Sequence, residues 1–172
     1  TECAFSHFGY DDPIVFPNKP GAAHLHMFFG NTHANAYSTY ESLIDSGNGS
    51  CSGMELNRTA YWVPAMIDDR GNARVPHRML IYYKAQGPIV GKVALYPEKA
   101  RFVIHNEITY ATGNSFACNY VMPSNSTINC VNHPTHWLHM QVYFPRCLKQ
   151  NANLLDYENV WTNSAGGWWW SD

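Results

Sequence analysis

The sequence predicts a mainly β fold: one antiparallel β-sandwich or jelly-roll-like domain over residues 1–172, with long loops, little helix and disulfide support. Three observations predict it. Short runs of β-branched and aromatic residues alternate with polar ones, and almost nothing recurs at helical spacing. Gly, Pro, Asn and Asp clusters interrupt these runs about every ten residues, the rhythm of sandwiches and related all-β folds. Five cysteines (Cys3, Cys51, Cys118, Cys130, Cys147) are widely spaced with no CxxC pair, which favours disulfides over a zinc ribbon.

Taken in order, Thr1–Tyr10 is short and aromatic, and Cys3 is placed to pin it to the body. Pro17-Asn18-Lys19-Pro20-Gly21 forms a turn, and Gly30-Asn31-Thr32 closes the strand that follows it. That strand carries His24-Leu25-His26, whose period of two puts both imidazoles on one face. Asn31–Tyr40 reads as a polar loop running into a short helix at Tyr40–Ile44, with Ser38 or Thr39 as its cap. Ser46–Gly53 is a Gly/Ser loop. Thr59–Ile67 is a strand in which Pro64 marks an edge or bulge. Asp68–Asn72 is a hairpin turn before a strand at Met79–Lys84. Further strands are expected at Val90–Leu95, Arg101–Ile104, Phe116–Val121 and Leu138–Phe144. No repeat, linker or low-complexity tract divides the chain, and the tail Ser164–Asp172 carries Trp168-Trp169-Trp170.

Charged residues make up 14% and the formal net charge is −2, so neither nucleic acid nor an anionic membrane is expected as partner. No window approaches the run of about twenty apolar residues of a membrane helix, and no basic-plus-apolar leader opens the sequence, which reads as mature or trimmed. Aromatic residues reach 15%, with 6 Trp and 11 Tyr among many Asn, Ser and Thr. Such a mixture serves a β core and equally suits sugars, which stack on aromatic faces and bond amides and hydroxyls. Sequons at Asn48, Asn57 and Asn125 are glycosylation acceptors if the chain passes a eukaryotic secretory pathway. Together with the cysteines they point to a secreted, extracellular location.

The densest chemistry lies between Asp11 and Gly30. Asp12, His24 and His26 are the candidate catalytic residues: a carboxylate beside an imidazole orients it and raises its pKa, as acid/base cleavage of a polysaccharide by hydrolysis or elimination requires. A second acid would come from Glu107, Asp68 or Asp69. The same HxH pair suits a divalent metal, copper or zinc, with His139 as the foremost third ligand and His33, His105, Glu107, His133 and His136 behind it. An N-terminal histidine brace is not expected, since it needs a histidine where this sequence opens with Thr1. Tyr61, Trp62 and Trp168–Trp170 are candidate sugar-binding aromatics, as is fitting for a non-catalytic carbohydrate-binding or matrix module. The exposed edge strand and tryptophan tail also allow self-association. Cys118 and Cys130, the nearest pair in sequence, are the expected disulfide.

Several motifs fall in one order along the chain: Asp12-Pro13-Ile14-Val15, Ala23-His24-Leu25-His26 leading to Phe29-Gly30, Ser38-Thr39, Leu43, Cys51, Ala60–Ala65, Ile81–Lys84 and Val142–Cys147. In these the sequence resembles the family called domain of unknown function 1996, of secreted fungal and bacterial proteins. The resemblance implies a secreted, polysaccharide-associated domain and no defined reaction. After Cys147 the chain departs from the family pattern: two further histidines expected there are replaced within Leu148–Val160, and a later Cys-Pro is not reached by Asp172. A C-terminal trim would account for the odd cysteine count.

Overall fold

The computed structural model describes residues 1–82 and 98–103, together with the backbone of five short strands at 115–118, 138–141, 147–148, 161–162 and 168–169. The chain falls into two compact units, Thr1–Lys84 and Ala85–Asp172. The expected mainly β, antiparallel character with little helix and a disulfide holds.

The first unit is built on a three-stranded antiparallel sheet in the order β2 (Phe5–Gly9), β3 (His26–Gly30), β4 (Ala60–Pro64). Central β3 is buried along its whole length. Met27 and Phe29 face a core shared with Cys3, Cys51 and Ile81, against which Phe5, Phe8, Tyr61 and Val63 pack. His26 and Phe28 face the other way, as the period of two demands. Pro64 stands at the end of edge strand β4, where its missing N–H costs no ladder bond.

Strand β2 lies in the segment read only as a pinned aromatic arm, because its pattern does not keep strict alternation. Phe5 pairs with Phe29 but His7 with Phe28, so the register slips by one at Ser6. Such a slip moves every following side chain to the opposite face. Phe5 and Phe8 therefore share the core with ring centroids 4.7 Å apart, while His7 lies flat on Phe28 at 4.8 Å.

Around this sheet, β1 (Glu2–Cys3) pairs with β5 (Met79–Leu80). The Cys3–Cys51 disulfide closes a 48-residue separation and ties the N-terminal arm to the Gly/Ser loop. In the loop-entropy account such a closure stabilises by roughly 4 kcal/mol. Helix α1 spans Tyr40–Asp45; Thr39 is its N-cap, and Thr39 and Ser42 bond each other's backbone reciprocally. The hairpin turn is as expected: Ile67 bridges Ala73, and the Asp68 carboxylate accepts from the N–H groups of Arg70 and Asn72.

In the second unit β6 (Ser115–Cys118) pairs with β7 (Leu138–Gln141), and β8 (Cys147–Leu148) lies between β9 (Trp161–Thr162) and β10 (Trp168–Trp169). The expected strand at Arg101–Ile104 is not formed over its described part, Arg101–Val103. The expected strand Val90–Leu95 lies outside the described residues, as does the Cys118–Cys130 pairing through Cys130.

Candidate functional site

Asp11 and Asp12 open the loop that leads into β3, and their four carboxylate oxygens are committed. Asp12 is buried; one oxygen accepts the N–H groups of Ile14 and Val15 at 2.9 and 2.8 Å, and the other accepts the indole N–H of Trp62 at 3.2 Å. It caps the turn over residues 13–15, on the far side of Pro13, and orients Trp62. Asp11 accepts from Gly21 N at 3.0 Å and Ala36 N at 3.1 Å, joining the two loops that flank the strand.

His26 is 4% exposed, opposite Gly9 and Pro64 on the neighbouring strands. Its Nδ1 lies 2.9 Å from the Asp11 carbonyl, which can only accept, so the proton sits on Nδ1 and Nε2 carries the lone pair. Burial holds its pKa below the ordinary imidazole value and His24 adds to this, against the Asp11 hydrogen bond and the Asp12 charge. His26 is therefore neutral at pH 7. His24 is exposed and lies just before the strand, yet the two rings meet edge to face with centroids 4.3 Å apart. The strand expected to carry both histidines starts only at His26, and the two rings meet although His24 stands outside it.

The aromatic candidates of β4 separate. Trp62 stacks on Phe28 at 5.8 Å on the histidine side, whereas Tyr61 packs against the core on the other. Trp168 and Trp169 form β10, and Trp170 lies outside the described residues. Among the sequons, Asn48 is exposed, Asn57 is half-buried and donates to Ser52 O at 3.4 Å, and Asn125 is outside the described residues.

Among the described residues no three His, Cys, Asp or Glu side chains converge as a metal site. His139 is on β7, opposite Ala117, while His33 is exposed in the Asn31–Ser38 loop. His105, Glu107, His133 and His136 lie outside the described residues. Asp68 is spent on its turn and on Arg74 at 2.8 Å.

Reading the sequence alone missed a cleft. An open hollow of about 470 Å³ lies between the Asn31–Ser38 loop and helix α1, with His7 in its lining. His7 is held on both sides: Nε2–H donates to Ala34 O at 2.9 Å, and Nδ1 then accepts from the Ser6 hydroxyl at 2.8 Å. The loop is braced by its own side chains. Asn31 is fully buried; its amide donates to Leu43 O and Ser46 O and accepts from His33 N. Asn35 accepts from Tyr37 N, and Ser38 Oγ from Asn35 N. Tyr37 is thereby presented 59% exposed at the lining. The one sequence signal was the dense Asn/Ser/Thr loop, whose side chains cap their own backbone.

A family model described as a domain of unknown function, DUF1996, matches residues 12–166. The chain belongs to this family. The resemblance carried by the ordered motifs is thus shown, and the DUF1996 match begins at Asp12, the carboxylate that holds Trp62. It takes in the histidine pair and all of the cleft lining except His7. No curated protein and no solved structure matches the chain.

Proposed function

We propose that this DUF1996 domain binds an extracellular polysaccharide, with the cleft beside Tyr37 holding the sugar. The lining of that cleft carries the reading. It contains no carboxylate, lysine or arginine among the described residues, only hydroxyls, an amide, two imidazoles, an alanine and the Tyr37 ring. Thr32 and Ser38 each accept a backbone N–H and keep their hydroxyl protons to donate; Ser46 donates to Ser42 O and keeps lone pairs to accept. Fixed donors and acceptors beside an exposed ring match a polyhydroxylated, uncharged ligand, and the bracing lowers the ordering cost of binding. Electrophoretic retardation in gels containing neutral polysaccharides tests this. Retardation by at least one of them should be lost in Tyr37→Ala; mobility unchanged in every neutral gel would contradict the reading.

A second reading, acid/base cleavage, is favoured by one observation: a neutral buried His26 against an exposed His24. Rings this close address a single face of a sugar, whereas inverting hydrolysis needs groups on opposite faces separated by roughly 6.5–9.5 Å. Each Asp11 and Asp12 carboxylate oxygen already accepts at least one structural hydrogen bond. Binding is therefore the better-supported function, and turnover that disappears in His24→Ala without loss of fold would reverse that order.

A further inference from the structure

We infer that His24 and His26 form a two-point site for a transition-metal dication, and that it selects copper(II) over zinc. The inference is independent of the glycan reading. Its first support is the tautomer: Nδ1–H of His26 is held by the Asp11 carbonyl, which leaves the ligating lone pair on Nε2. A backbone carbonyl on the far nitrogen is the usual outer partner of a metal-ligating histidine, fixing ring orientation and raising basicity.

The second support is the spacing of the rings. A metal at the usual nitrogen distance of about 2.0–2.1 Å lies about 3.2 Å from the ring centroid. Two imidazoles at adjacent corners of a square-planar or octahedral site then have centroids about 4.5 Å apart, whereas a tetrahedral site needs about 5.2 Å and opposite positions about 6.4 Å. The observed centroid separation of 4.3 Å lies nearer the adjacent spacing than the tetrahedral one. That geometry and the affinity order of the divalent metals both favour copper(II), while zinc prefers a tetrahedron. No third protein ligand stands among the described residues, and the exposed His24 leaves the remaining positions open to water.

The test uses the tag-free full chain, titrated with substoichiometric copper(II) while the histidine ring protons are followed by NMR. Paramagnetic broadening should strike the rings of His24 and His26 first. His24→Ala removes an exposed side chain that makes none of the described hydrogen bonds, so it should keep the fold and bind copper at least tenfold more weakly, while His33→Ala leaves affinity unchanged. Copper should outcompete zinc at least tenfold. Broadening that begins at other histidines, unchanged affinity in His24→Ala, or tighter binding of zinc would each overturn the assignment.

Discussion

Asp12 shows how one side chain can be consumed by structure. Its carboxylate has one oxygen on two backbone N–H groups and the other on an indole, and every partner is a donor. Asp12→Asn keeps the shape but must turn its NH2 toward a donor, whichever way the amide lies. A loss of about 1–3 kcal/mol is expected, the usual cost of an unsatisfied buried polar group. Urea unfolding of Asp12→Asn, Trp62→Phe and the double variant checks it. The double variant should lose less than the sum of the two, because Trp62→Phe has already removed the opposing donor. The proximity of Asp12 to the histidine face was legible in the sequence. The commitment of its oxygens was not, since it depends on Trp62, fifty residues away.

Strand β3 and its closing turn carry the site, and a glycine fixes where that strand stops. Gly30 has φ of +79°, and a Cβ there would fall 1.8 Å from the Thr59 carbonyl oxygen. Gly30→Ala combines a left-handed backbone with a clash against backbone, so a loss of about 3 kcal/mol or more is expected by chemical denaturation. The hairpin at Asp68 makes a different kind of prediction. The hydrogen bond from Asn72 N–H, followed by those from the Asn72 side chain and Arg70 and by the Arg74 charge, holds the Asp68 pKa below the ordinary carboxylate value. The folded state thus binds fewer protons than the unfolded state near and below pH 3.8. Its stabilisation is complete above that pH and fades as pH falls through the depressed value. Asp68→Asn should flatten the acid limb of the stability–pH curve while leaving its slope above pH 5 unchanged. This hairpin, helix α1 and β4 were readable from local turn, cap and strand signals. Strand β2 was not, because the bulge at Ser6 breaks the alternation on which strand reading depends.

Across the chain, the sequence marks the antiparallel β character, the family and the histidine pair, because each is carried by short patterns of neighbouring residues. The Cys3–Cys51 bridge and the cleft were hidden for the opposite reason. The bridge joins residues 48 apart, and the cleft needs His7 from β2, the Asn31–Ser38 loop and helix α1 together. Pairing Cys118 with its nearest neighbour in sequence could not reveal Cys3–Cys51, since the contact of those two residues is set by where β1 and the Gly/Ser loop meet. The resulting first unit places a braced, hydroxyl-rich hollow beside an exposed tyrosine, and its functional reading depends on a lining with no carboxylate, lysine or arginine among the described residues.

Calorimetric titration of the full chain with matched panels of neutral and uronate oligosaccharides tests that reading most directly. The account predicts saturable binding of a neutral oligosaccharide, weakened about tenfold in Tyr37→Ala, the order of one lost aromatic contact at about 1.4 kcal/mol. Binding of uronates in preference to neutral sugars, or neutral binding untouched by Tyr37→Ala, would contradict it.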